Sequence, residues 1–116
     1  MKIKQTIYRQ GDVLLIAVAA LPSGATDVTP KDRIVLAHGE VTGHAHAVYP
    51  QAVEAKPRIK ALPARMWDAG AERFLQVVEK TALRHEEHAA VPLPPGVYKV
   101  VQQREYSPEE IRRVAD

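Results

Sequence analysis

Four of the five histidines fall into two tight pairs, His44-Ala45-His46 and His85-Glu86-Glu87-His88. In an extended strand, residues two apart point to the same face. His44 and His46 would then project side by side, with the small Ala45 and Ala47 on the opposite face. Neighbouring imidazoles disfavour one another's charged forms unless something neutralises or binds them. Zinc, iron, nickel, copper and manganese all accept such a pair. His85 and His88, three apart, face opposite ways on a strand but can meet across a turn or a single helical turn. If the two pairs converge, His44, His46, His85 and His88 form an all-nitrogen site for a divalent transition metal, with zinc, iron, nickel and manganese as candidate ions. Four histidine ligands would close the site and make it structural. With one histidine withdrawn, an open position permits catalysis, and Glu86 or Glu40 is then the candidate general base. His38 is a reserve ligand that otherwise faces solvent. The HEEH spacing differs from the zinc-protease pattern, which needs histidines four apart on a helix. The plainer readings are a strand whose polar face carries imidazoles and an exposed charged corner.

Other chemistries are poorly served. The chain has no cysteine, which excludes disulfides and thiolate ligands. No glycine-rich phosphate loop or dinucleotide fingerprint occurs. Ser23 and Ser107 are the two serines; one reads as a turn residue and the other as a helix cap, so neither reads as a nucleophile. Sixteen Lys and Arg against fourteen Asp and Glu leave a net charge of +2, a weak basis for a polyanion partner. Lys56, Arg58, Lys60 and Arg65 could touch nucleic-acid phosphate, which makes a nucleic-acid-binding barrel the third and least favoured reading; the favoured one is a solvated loop, because no aromatics are interleaved with them to stack on bases. The longest apolar run, residues 13–22, is about half the ~20 residues a bilayer span needs. No signal-peptide pattern opens the chain, and the expectation is a cytoplasmic protein with no membrane partner and with nucleic acid a disfavoured one.

These histidines must be positioned by strands. At 116 residues, 46% hydrophobic and 26% charged, the chain fits one domain with a modest core. Alternation or β-branched content predicts strands at 3–8, 13–18, 33–37, 41–49, 73–78, 81–84 and 97–104. Residues 65–67, a turn at 68–71 and the strand at 73–78 read as a hairpin. Residues 21–32 read as loop and 91–96 as a rigid turn. Residues 51–65 read as a loop or as one short edge strand at 58–62. Trp67, Phe74 and Tyr98 are candidate core. Ser107-Pro108-Glu109-Glu110 combines an N-cap, a first-turn proline and a capping box, predicting a helix at about 108–115 onto which Tyr106 packs. The expected architecture is all-β, a small single-domain barrel or sandwich over residues 1–116 with that short C-terminal helix.

Two resemblances follow from these motifs. Gly39 followed by His44-Ala45-His46 resembles the first cupin motif, and Pro94-Pro95-Gly96-Val97-Tyr98 resembles the proline-glycine turn of the second. That resemblance implies His44 and His46 as ligands. Pro50-Gln51 and Tyr98-Lys99 stand where cupins carry their other two, so His85 and His88 would have to supply them. Across most of the chain, Arg9-Gln10-Gly11-Asp12-Val13, residues 39–46, residues 85–88 and residues 94–116 resemble a group of short uncharacterised proteins from bacteria and their phages. This second resemblance implies no reaction. It raises the alternative of a homo-oligomer or larger assembly, a virion component if phage-encoded, in which the histidines make contacts between subunits.

Overall fold

Short runs of alternating side chains, broken by glycine and proline, form an all-β domain. The computed structural model describes residues 6–39 and 43–103. Its strands are β1 (Ile7–Gln10), β2 (Val13–Val18), β3 (Thr26–Asp27), β4 (Ile34–His38), β5 (Ala45–Val48), β6 (Gln51–Val53), β7 (Lys56–Ala61), β8 (Ala64–Ala69), β9 (Glu72–Val77), β10 (Thr81–Leu83), β11 (Val91–Leu93) and β12 (Gly96–Gln102). Six of them form one antiparallel sheet in the order β1-β2-β12-β9-β8-β3. β12 is central, bonded to β2 on one side and to β9 on the other. The remaining strands form the hairpins β4–β5, β6–β7 and β10–β11.

Strand alternation decides which faces meet. Val13 and Leu15 of β2, Leu75 and Val77 of β9, and Tyr98 and Val100 of β12 point from the large sheet into a single core cluster. Ile34, Leu36 and Val48 enter it from the β4–β5 hairpin, and Leu83 and Leu93 from β10–β11. Each fully buried leucine contributes on the order of 1.5–3 kcal/mol. A bulge between Val35 and Ala37 shifts the β4–β5 register. Leu36 and Ala37 are consequently both buried, and the Leu36 carbonyl accepts from Arg73 Nη2 at 2.5 Å. Tyr98 also pins the turn before β12, its hydroxyl donating to the Pro94 carbonyl at 2.7 Å.

Several expectations need correction. The large sheet stays open, with β1 and β3 at its edges, so the domain is not a closed barrel. Residues 51–61 form a hairpin rather than a loop or a lone edge strand, and every residue of β7 is exposed. Lys56, Arg58 and Lys60 therefore share one face of an exposed strand. The supposed turn at 91–96 contains β11, paired to β10 despite Pro92, as an edge strand allows. The supposed loop at 21–32 contains β3, paired to β8. Phe74 and Tyr98 are buried, whereas Trp67 is half-buried, its indole donating to Gln76 Oε1. The predicted helix at 108–115, its capping box, Tyr106 and Glu40 lie outside the described residues. No helix among the described residues is long and apolar enough to cross a membrane.

Candidate metal centre

Three chain segments meet at one end of the core: the β1–β2 turn, the start of β5, and the loop after β10. The turn is two residues long, Gly11-Asp12, because Gln10 pairs directly with Val13. β5 is held to the segment after β10 by reciprocal backbone bonds between Ala47 and Arg84, both 2.9 Å. That bridge delivers His85 and His88 to His46. One nitrogen from each of His46, His85 and His88 lies within 4.8 Å of the others. The ring centroids are 4.3 Å apart for His46 and His85, 4.7 Å for His85 and His88, and 5.6 Å for His46 and His88.

Gln10 organises the group. Among the described residues, the buried polar side chains are Gln10 and His46, and a buried polar group is costly unless bonded. The Gln10 amide nitrogen donates to the carbonyls of Leu83 (2.9 Å) and Ala89 (3.0 Å), the two ends of the histidine-bearing loop. Both amide protons are thereby used, and the orientation of the carboxamide is fixed. Gln10 Oε1, 2.8 Å from His46 Nδ1, can then only accept. The proton of neutral His46 must sit on Nδ1, leaving Nε2 with a lone pair directed away from Gln10. Metal-ligating histidines are typically fixed in this way by a partner on the other nitrogen. Burial, first, and then the neighbouring His85 push the His46 pKa below its usual value; Asp12 pulls it upward and His88 adds to the depression. The neutral, ligand-competent ring is thus the favoured form.

Space for the rings comes from two glycines. A Cβ on Gly11 would stand 2.9 Å from His88 Nε2 and 3.2 Å from His46 Cε1. A Cβ on Gly39 would stand 2.9 Å from His85 Nε2. Gly11 also has φ +57°, a conformation that disfavours other residues.

The remaining candidates divide. His44 is not brought into the triad. It precedes β5, and its carbonyl accepts from Gly39 N–H at 2.8 Å, which carries the β4–β5 ladder one pair further. Its ring stands edge-on to His85 at 5.8 Å, with Nδ1 3.6 Å from Glu87 Oε1. His38 is exposed at the end of β4. Glu86 is engaged as a backbone anchor: its Oε1 accepts from Ala45 N–H at 2.8 Å. That bond and one from its own N–H lower its pKa, which weakens it as a general base. His85 carries a constraint of its own, since its Nδ1 accepts from Glu87 N–H at 3.0 Å. Coordination by His85 requires the ring to turn or to give up that exposed bond, at a cost of about 1 kcal/mol. Sequence reasoning did not select Gln10 or Asp12. Asp12 Oδ1 is 3.4 Å from His46 Nε2. The visible signal was the run Arg9-Gln10-Gly11-Asp12-Val13, which as a bare sequence says only that a turn occurs there.

A family model described as a domain of unknown function (DUF8820) matches residues 9–103, and the chain belongs to that family. The matched span contains every residue of the site just described. No curated protein and no solved structure matches the chain.

Proposed function

We propose that this protein binds one divalent transition metal ion through His46, His85 and His88. The observation that carries the reading is the convergence of three imidazole nitrogens within 4.8 Å of one another. It is supported by the fixed tautomer of His46, whose Nε2 lone pair is held ready by the Gln10 bond on the opposite nitrogen. Bringing three nitrogens onto one ion requires them to close to about 3.3 Å, given bonds of about 2.0–2.1 Å. Rotation of the partly exposed His85 and the exposed His88 can supply that closure. Zinc, iron, nickel and manganese all take imidazole ligands. Because His88 is exposed, the ion would lie at the surface edge of the domain. His44 stands outside this set, beside Glu87.

Metal analysis of untagged protein, loaded with each ion in turn and desalted without chelator, tests the reading. About one equivalent of at least one ion is expected to remain, with melting raised in its presence. Less than about a tenth of an equivalent for all four ions would overturn it.

A second reading, an assembly module, draws support from the β6–β7 hairpin. β7 is exposed along its whole length, including Ile59 at 51%. A homo-oligomer seated on that hairpin predicts a solution mass above that of one chain. A strict monomer at high concentration would count against it.

A further inference from the structure

His46 Nε2 lies 3.4 Å from Asp12 Oδ1. Gln10 Oε1 occupies the opposite ring nitrogen, Nδ1, so Nε2 is the nitrogen that faces the carboxylate oxygen. A metal ion between the two atoms would take a lone pair from each. Their separation also suits two donors of a single ion: a nitrogen and an oxygen, each about 2.0–2.2 Å from a tetrahedral metal, stand about 3.4 Å apart.

The carboxylate is aimed by its own contacts. Gln102 Nε2 donates to Asp12 Oδ2 at 3.0 Å, leaving Oδ1 on the ring side. Gln103 N–H donates to the Asp12 carbonyl at 2.7 Å, tying the turn to the end of β12. Gln10, one turn residue away, holds His46 and both ends of the His85–His88 loop. A single hairpin end therefore sets the position of the carboxylate and of the imidazoles together.

We propose that Asp12 is the fourth protein donor of the centre, giving a set of three histidines and one carboxylate. This rests on the metal reading above and deepens it by naming the donor chemistry. A carboxylate halves the net charge of a bound dication. It also adds a hard oxygen donor, which iron, manganese, nickel and zinc tolerate and which soft copper(I) does not favour. The 4.8 Å grouping of His46, His85 and His88 does not itself include Asp12; its place in the set rests on the 3.4 Å approach to His46 Nε2.

Cobalt(II) titration of the full chain, followed by visible absorption, tests the assignment with a probe whose d–d bands report the donor set. The variants are Asp12→Asn, which keeps an acceptor for Gln102, and Asp12→Ser as a smaller second change. Both are expected to weaken cobalt binding at least about tenfold and to shift the bands, while metal-free melting of Asp12→Asn stays at the wild-type value. Should one variant fail to fold, the other carries the test. Unchanged affinity and bands in either folded variant would overturn Asp12 as a ligand and leave the three-histidine reading standing. Failure of the wild type to bind cobalt would overturn both.

Discussion

The molecule contains two hairpin turns built alike, and only one of them touches the candidate site. Gly11-Asp12 joins β1 to β2, and Gly70-Ala71 joins β8 to β9; each is a two-residue connection opened by a glycine at positive φ, +57° and +63°. A Cβ on Gly70 would meet nothing within 4 Å, whereas one on Gly11 would press on two histidines. The backbone requirement is the same at both turns. The surroundings differ because β5 and the loop after β10 fold back over the first turn and leave the second in solvent. Turn chemistry in a sequence reports the bend of the chain. It does not report what later segments will be packed against that bend.

Replacing the residue in front of the first turn should have the largest effect. Gln10→Leu leaves the Leu83 and Ala89 carbonyls and His46 Nδ1 without their partner, and each of the two buried groups, the Leu83 carbonyl and His46 Nδ1, costs about 1–3 kcal/mol when orphaned. Urea denaturation should show a loss of both increments, and metal affinity should fall about 10–100-fold. A loss below about 1 kcal/mol would show that Gln10 does not hold the loop.

Next come the paired glycine changes. Gly70→Ala should cost only the left-handed strain, about 1–2 kcal/mol, with metal binding untouched. Gly11→Ala should cost that amount and, in addition, displace His88 and weaken metal binding. Equal effects of the two substitutions on both readouts would erase the distinction between the turns.

The smallest effect is on pH dependence. His46 has a folded pKa below its ordinary 6.5, so between those two values the unfolded chain binds a proton that the fold excludes. Stability of the metal-free protein should therefore be fully present above about pH 6.5 and decline as acid carries the pH toward the folded value. Asp27 and Glu86 are shifted downward from 3.8 and 4.5, so their losses begin in more acid solution. Denaturation midpoints measured across this range should fall in the wild type and in Gly70→Ala alike. A midpoint that rises on acidification from pH 7 would contradict the assignment of His46 as neutral.

How far the sequence could be read depended on burial. β2, β9 and β12 were legible because packing against the core requires short runs rich in apolar and β-branched residues, as in Val13–Val18 and Gly96–Gln102. β7 was opaque because Pro57 reads as a breaker and both its faces are exposed, so the alternation of Lys56, Arg58 and Lys60 with Pro57, Ile59 and Ala61 marks no buried face. β11 was hidden by Pro92, a breaker in a central strand but tolerable at the edge of a two-stranded ladder. Within the site, His46, His85 and His88 stood out by type and spacing. His44 looked equivalent to His46 by spacing alone; its ring stands edge-on to His85 with Nδ1 toward Glu87, and a two-residue spacing does not report where each ring turns. Gln10 and Asp12 could not be selected, because their importance lies in Leu83, Ala89 and His46, all far away in the chain.

Crystals grown with zinc and measured on both sides of its absorption edge would test the central claim most directly. One anomalous peak is predicted within bonding distance of His46 Nε2 and of ring nitrogens of His85 and His88. Diffraction from zinc-soaked crystals with no peak at that triad, or with the ion held elsewhere on the chain, would contradict the account.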